Sequence, residues 1–284
     1  MNKARHRLLT VTAGITLLAA SASGQVIYPP GVSGPAVLPE FDAADFGLPT
    51  FIDNPYFPLV PGTSYTYSGQ REDDGETVTE TSTIAVTSDT RNVAGVESRA
   101  VRDTEFVDGV LTEDTFDWYA QDVIGNVWYM GEFTTVFEYD DEGNVTGTSN
   151  EGSWEAGVDG ALPGYIMPAF PQIGDHYYQE FLSDEAVDEA VIVSLDESVS
   201  IGLGDFSNVL QTYETSALEP DSREFKYYAP GVGLILIEED LNAQLMDPEF
   251  ISELQGVQVI PAPMSLLLAA VGLGCVGRVR RRLK

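Results

Sequence analysis

Cysteine is nearly absent from this chain. The one residue, Cys275, sits in an apolar stretch close to the C-terminus, so the body has no disulfide, no thiolate nucleophile and no cysteine ligand set for a metal. Histidine is almost as scarce. Apart from His6 near the start there is only His176, in Gly174-Asp175-His176-Tyr177-Tyr178, which excludes zinc, copper or iron sites built on several histidines. A Ser-His-Asp site would have His176 as its sole base, and no Gly-x-Ser-x-Gly elbow accompanies it, so His176 reads as a strand-edge residue beside a turn. Inside the body helical periodicity is nearly absent, and no apolar run of the chain reaches the roughly 20 residues that span a bilayer comfortably.

Positive charge is concentrated at the ends. Of the 14 Lys and Arg, Lys3, Arg5 and Arg7 lie at the N-terminus, and Arg278, Arg280, Arg281, Arg282 and Lys284 at the C-terminus, with no acid in either segment. The six that remain face all 45 Asp and Glu, so the body carries a formal −39 against −31 for the whole chain. A field of that sign repels phosphate backbones and anionic lipid, which argues against nucleic acid as a partner. It reads as a solvated, acidic surface. Acid-rich disordered chains lack aromatics, whereas this body holds Trp118, Trp128, Trp154 and most of the 13 Tyr and 13 Phe. Without disulfides, stability must come from a core large enough to bury them, which fits one domain.

Both ends read as addresses. Lys3, Arg5 and Arg7, the apolar run from Leu8 to Ala20 and the small residues Ala20-Ser21-Ala22 have the order of a secretory signal, which predicts handling by the Sec machinery and signal peptidase and a mature start near Ser23. At the other end Pro261-Ala262-Pro263 precedes an apolar stretch from Met264 to Gly277 and the Arg278, Arg280, Arg281, Arg282 cluster. That arrangement resembles the PEP-CTERM sorting signal, in a variant with Ala262 where the usual motif has Glu. The resemblance covers about the last 24 residues and implies an exosortase-like transpeptidase as partner, with a transient membrane tether through the C-terminal helix. A plain single-pass anchor is the alternative.

Between the addresses, a Pro- and Gly-rich lead-in covers 23–53, a β domain 54–240, and a linker with a short helix 241–260, before the sorting signal at 261–284. Runs rich in Thr, Val, Tyr and Trp alternate in character and are separated by turn pairs: Asp74-Gly75, Asp108-Gly109, Gly125-Asn126, Gly143-Asn144 and Asp159-Gly160. That spacing predicts antiparallel hairpins and an all-β fold of about 10 to 12 strands, as a curved sheet, half-barrel or barrel. In Phe116-Asp117-Trp118-Tyr119-Ala120, the residues Phe116, Trp118 and Ala120 face one way and Asp117 and Tyr119 the other. The stretches NPYFPLVPGTSYTY, DWYAQDVIGNVWYMGE, GSWEAGVDGALPGYIMP with GDHYYQE, and YYAPGVGLILIEE resemble an uncharacterised group of secreted bacterial β-proteins. YYAPGVGL is also similar to curved-sheet periplasmic proteins related to the lipoprotein-carrier fold. These resemblances imply a fold and a location, not an activity.

Candidate sites follow from residue type. Trp118, Trp128 and Trp154 form a possible ligand platform. Asp117 and Asp122 bracket Trp118, and Glu155 adjoins Trp154, pairing acids with aromatic rings as a sugar-cleaving site requires. Their simpler reading is solvent-facing acids alternating with core tryptophans. The oxygen-rich turns Glu72-Asp73-Asp74-Gly75-Glu76 and Asp140-Asp141-Glu142-Gly143-Asn144 suit weak surface calcium, without the spacing of a dedicated loop. No other cofactor is expected. Thr77, Thr79, Thr81 and Thr83 line one strand face, as β-propensity favours. The expectation is an exported cell-surface or extracellular-matrix module that binds an apolar ligand or a glycan or serves a structural role; the alternative is a carboxylate-dependent hydrolase acting on exopolysaccharide.

Overall fold

The computed structural model describes residues 26–259 apart from 33, 74, 141 and 184, so the segments 1–22 and 261–284 with their sorting residues lie outside the described residues. Fifteen strands follow one another: β1 (Thr63–Asp73), β2 (Glu76–Val93), β3 (Val96–Val107), β4 (Val110–Gln121), β5 (Val127–Tyr139), β6 (Val145–Ser149), β7 (Trp154–Glu155), β8 (Leu162–Met167), β9 (His176–Tyr178), β10 (Glu180–Phe181), β11 (Asp188–Ile201), β12 (Gly204–Ser216), β13 (Arg223–Ala229), β14 (Gly233–Glu239) and β15 (Phe250–Val259). Among the described residues no helix is long and apolar enough to cross a membrane.

All strand pairs are antiparallel, and they form one sheet in the order β10, β8, β5, β4, β3, β2, β1, β15, β14, β13, β12, β11, β9. Only Gln179 separates β9 from β10. The first piece pairs with β11 and the second with β8, so a single extended segment joins both ends of the sheet and nearly closes it into a barrel. Closure removes the two free edges that a sheet this wide would otherwise expose.

The hairpins follow the turn chemistry of the sequence. Asp108 and Gly109, between β3 and β4, both have positive φ, at 48° and 80°, as a two-residue turn matched to strand twist requires. Between β2 and β3 the same geometry falls on Ala94 and Gly95, at 49° and 88°. Alanine is a poor occupant of the left-handed region, so Ala94→Asn is expected to raise stability by about 0.5 to 1 kcal/mol, read as a shifted denaturant midpoint with an unchanged slope. Position 131 is the other demanding one. Gly131 has φ 145° where β5 bulges against β4, and a Cβ there would lie 2.7 Å from the Trp154 carbonyl oxygen. The bulge lets one continuous strand run through Val127–Tyr139.

Two expectations are corrected. The stretch expected as a linker over 241–260 is not one across its described residues, 241–259: Phe250–Val259 is β15, paired with both β1 and β14, with Phe250, Ser252 and Leu254 buried at period two. The domain therefore continues to Val259. Nor is the lead-in free of the domain. Phe41 and Phe46 pack against Trp128 with ring centroids 5.5 and 5.9 Å away, Val37 bridges Tyr177, and Tyr28 lies over His176 at 5.0 Å.

The barrel interior has two unlike halves. One, toward the β2–β3 and β4–β5 connections, is filled by side chains from around the barrel, among them Val86, Val101, Val127, Met167, Ile192, Leu210, Ile235 and Leu254. Ile52, Phe57 and Leu59 from the segment before β1 pack into the same cluster. At the other end, toward the β1–β2 and β3–β4 hairpins, the inward positions are carboxyls.

Candidate functional site

Strand register decides which face each acid takes. Asp117 lies opposite Val101 on β3 and Glu132 on β5, and Tyr119 lies opposite Tyr129. Tyr119 packs on Phe57 with centroids 5.2 Å apart and stacks on Tyr129 at 5.1 Å and 16°. Asp117 and Tyr119 thus point into the barrel, and Trp118 points out. The alternation along Phe116–Ala120 is as the sequence predicts, with the acid on the inside.

Around the lumen the same pattern recurs. Glu180, Glu132, Asp117, Glu113, Asp103 and Glu105 arc from β10 through β5 and β4 to β3, each within electrostatic reach of neighbours in the series. Glu80, Glu239, Glu224, Glu214 and Asp188 complete the circuit through β2, β14, β13, β12 and β11. Burial is the main cause that pushes Asp103 and Asp117 up to about 7 and Glu132 and Glu239 up to about 8, with neighbouring carboxylates adding to it. Asp188 is raised to about 6, again chiefly by burial. Yet these groups are not sealed: Asp188 is exposed, and Asp103, Asp117, Glu132, Glu224 and Glu239 are only half-buried. Deep placement combined with water-accessible surface describes a polar chamber. Its boundary with the apolar half is a layer of tyrosines, Tyr67, Tyr119, Tyr129 and Tyr228.

Two arrangements organise the chamber. The Tyr129 hydroxyl lies 2.7 Å from Asp117 Oδ1 and 2.9 Å from Glu132 Oε2. One hydroxyl has one proton to donate, so it serves both carboxyls only when one of them is protonated and donates back to it. On the far side Lys226 Nζ donates to Glu214 Oε2 at 2.8 Å and pairs with Glu224 Oε1 at 3.0 Å. Burial opposes its charge, and these two carboxylates outweigh that and hold Lys226 firmly protonated.

The other residues singled out by sequence fall elsewhere. Asp122 is buried and holds the β4–β5 turn, accepting bonds from the backbone N–H of Ile124, Gly125 and Asn126, from Asn126 Nδ2 and from Trp128 Nε1. It is a structural acceptor with no free lone pair for chemistry. Asp122→Ala leaves those donors unmet and is expected to cost about 2 to 3 kcal/mol, read as a lowered unfolding midpoint. Glu155 pairs with Arg91, whose guanidinium lies 4.3 Å over the outward face of Trp118. Asp117 alone of the three candidate acids therefore enters the chamber.

The tryptophans offer no open ring. Trp118, Trp128 and Trp154 are 6%, 3% and 4% exposed and share one buried cluster. Trp118 and Trp128 lie on the outer face, the latter under Phe41 and Phe46, so they form no platform for a sugar. Trp154 edges onto Tyr129 at 5.3 Å and turns its indole toward Glu180. His176 Nε2 lies 2.8 Å from Glu189 Oε2, which also accepts from the Tyr28 hydroxyl at 2.7 Å. Burial acts to raise Glu189, but these hydrogen bonds outweigh it and lower it. This buried staple ties the lead-in to the outer face of β11.

The oxygen-rich turns are hairpin connections. Asp140 Oδ1 accepts from the backbone N–H of Glu142 and Asn144, and Glu72 accepts from the Thr77 hydroxyl. Among the described residues no three His, Cys, Asp or Glu side chains are placed to hold one metal ion. The row Thr77, Thr79, Thr81, Thr83 lies on the outer face of β2, opposite Glu72, Gln70, Ser68 and Thr66.

Nothing in the sequence singles out Glu132, Glu180, Glu214, Glu224 or Lys226 as a group. Each sits at an inward position of its strand, and the only available signal was the alternation of acid with Tyr or Phe in Glu214, Glu224 to Tyr228 and Tyr129 to Glu132.

No protein-family model matches the chain, and no curated protein matches it. Solved structures that resemble it include a candidate exported protein with a YmcC-like fold from Bacteroides fragilis, at 13% identity and TM-score 0.38 over 72% of this chain and 98% of that one. A candidate lipoprotein from Parabacteroides distasonis gives 12% and 0.40 over 72% and 98%. A β-barrel-like protein of a domain of unknown function from Brucella abortus gives 11% and 0.39 over 72% and 99%. The chain is thus distantly similar in outline to barrel-like proteins, a likeness too low to carry any argument about what it does.

Proposed function

We propose that the protein is an exported β-barrel module that holds a polar ligand, without transforming it, in the acidic half of its barrel. The observation that carries this reading is the chamber itself: carboxyls from nine strands turned inward over a tyrosine layer, deep in the fold yet open to water. A fold under selection for stability alone would fill that space with apolar side chains, since buried like charges raise one another's cost. The apolar-ligand version of the expectation is set aside because the apolar half is already full of the protein's own side chains. Location follows from the sequence: a Sec-type signal that signal peptidase removes, and a PEP-CTERM-like tail with Pro261, Ala262 and Pro263 that an exosortase-like transpeptidase processes. The site of action is the cell surface or the extracellular matrix.

Native mass spectrometry of the protein exported by a bacterial host tests the chamber. The expected result is a co-purified small molecule that departs under mild denaturation; a clean protein mass together with no binding to any small-molecule panel would overturn it.

One observation favours the hydrolase as a second reading. Asp117 and Glu132 share the Tyr129 hydroxyl, and two carboxyls so close, one protonated, have the form of a glycoside-cleaving pair. Release of reducing ends from an exopolysaccharide, abolished in both Asp117→Asn and Glu132→Gln, would establish it.

A further inference from the structure

We infer that the acidic chamber takes an organic cation, a compound carrying one or more alkylammonium groups, on the side formed by Glu180, Asp117 and Glu132. This deepens the chamber reading above and rests on it.

The first support is Glu180. Its side chain is 6% exposed, its Oε2 has no hydrogen-bond partner, and it sits within electrostatic reach of Asp188, Glu132 and Asp117. Trp154 turns its indole toward this carboxyl, but its Nε1 closes no bond of normal geometry. Buried acceptors in folded proteins are nearly always satisfied, and an acceptor left open among like charges calls for a donor that brings positive charge with it.

Lys226 shows which donor fits. Its ammonium reaches Glu214 and Glu224 from within the same chamber, so half of the acidic wall already has an alkylammonium group of the protein's own. The other half has none. Of the remaining cations of the body, Arg71 pairs with Glu80 on the β1–β2 side of the chamber, and the others are engaged elsewhere: Arg91 with Glu155, Arg102 with Asp114, Arg223 with Asp221, and Arg99 with the carbonyls of Ser88 and Thr50. A guest ammonium would complete on the Glu180 side what Lys226 completes opposite.

The floor agrees with the charge. Tyr119 and Tyr129 stack beneath Asp117 and Glu132, and aromatic rings attract organic cations. A bare metal ion suits the site less well, because the carboxyls come from β4, β5 and β10, and no three described side chains converge on one point.

Calorimetric titration of the full exported protein with putrescine, spermidine, calcium chloride and maltose decides the matter. The expected result is saturable binding of the amines and none of maltose, with Glu180→Gln and Glu132→Gln each weakening amine binding at least about tenfold, or about 1.4 kcal/mol. Circular dichroism checks that the variants are folded; should Glu180→Gln fail to fold, the half-buried Glu132→Gln carries the test. Amine affinity unchanged in the glutamine variants would overturn the inference, as would calcium binding without amine binding. Maltose binding alone would overturn it while leaving the chamber reading intact, whereas no binding of any probe and a clean native mass would overturn both.

Discussion

Replacing Gly164 by alanine is expected to destabilise the barrel by about 3 to 5 kcal/mol, enough to leave much of the chain unfolded at moderate denaturant. Gly164 lies on β8 opposite Tyr129, where the segment joining β9 to β10 passes directly over it. A Cβ there would sit 2.0 Å from the Tyr178 carbonyl oxygen and 2.7 Å from the Gln179 carbonyl. Both are backbone atoms, so no side-chain rotation relieves the clash and the whole segment must move away. That segment is what connects the two ends of the sheet, and β10 holds β8 by only two residue pairs. The loss should show as a lowered denaturant midpoint and as faster amide exchange across β8 to β11. A midpoint within about 0.5 kcal/mol of the parent's would mean that the barrel does not close through this crossing.

The second large effect is expected at Lys226. Lys226→Met keeps the length of the side chain and removes its charge, leaving Glu214 and Glu224 facing one another without a counter-ion. Removing one partner of a buried pair typically costs about 3 to 5 kcal/mol, and we expect that range near pH 8. At lower pH the cost should shrink, because burial already raises Glu224 and a proton can take the place of the lysine charge. The parent protein should show a pH dependence of the same sign. Asp103, Asp117, Glu132 and Glu239 titrate at about 7 to 8 in the folded chain and near 4 once unfolded. Between those values the native state holds protons that the unfolded state has released. Their contribution is complete below about pH 4 and is lost as the pH rises through 7 to 8. Thermal unfolding at pH 5.5 and 8.5 reads this directly, and a higher midpoint at pH 8.5 would contradict the placement of these carboxyls.

How much of this was legible beforehand varies by element. The hairpin of Val96–Val107 with Val110–Gln121 lies where the turn pair Asp108-Gly109 places it, because such pairs have few other backbone uses. Closure was anticipated as one of three outcomes, since edge strands must be managed somehow. β15 was hidden because Phe250–Val259 is rich in polar residues and adjoins an apolar tail, so its period of two gave little contrast. The site was hidden for a deeper reason. Period two in Phe116–Ala120 says that Trp118 and Asp117 part company, but not which of them faces in. By hydrophobicity tryptophan is the residue expected inside, yet Trp118 and Trp128 find their cover outside the barrel, from Arg91 and from Phe41 and Phe46 of the lead-in. Only a long-range partner settles that choice, and the spacing of residues along one strand contains no trace of it. The same holds for the charge: a formal −39 reads as a solvated surface, while part of it is wrapped inside.

The path of β15 has a consequence for how the molecule stands. Its chain enters at Phe250, beside Glu239 and the acidic end, and leaves at Val259, opposite Thr63, at the end packed with apolar side chains. Anything that grips the protein by its C-terminus therefore grips it by the base, with the carboxyl-lined opening turned to the far side. A barrel so mounted turns its carboxyl-lined end outward, like a cup standing on the support that holds it.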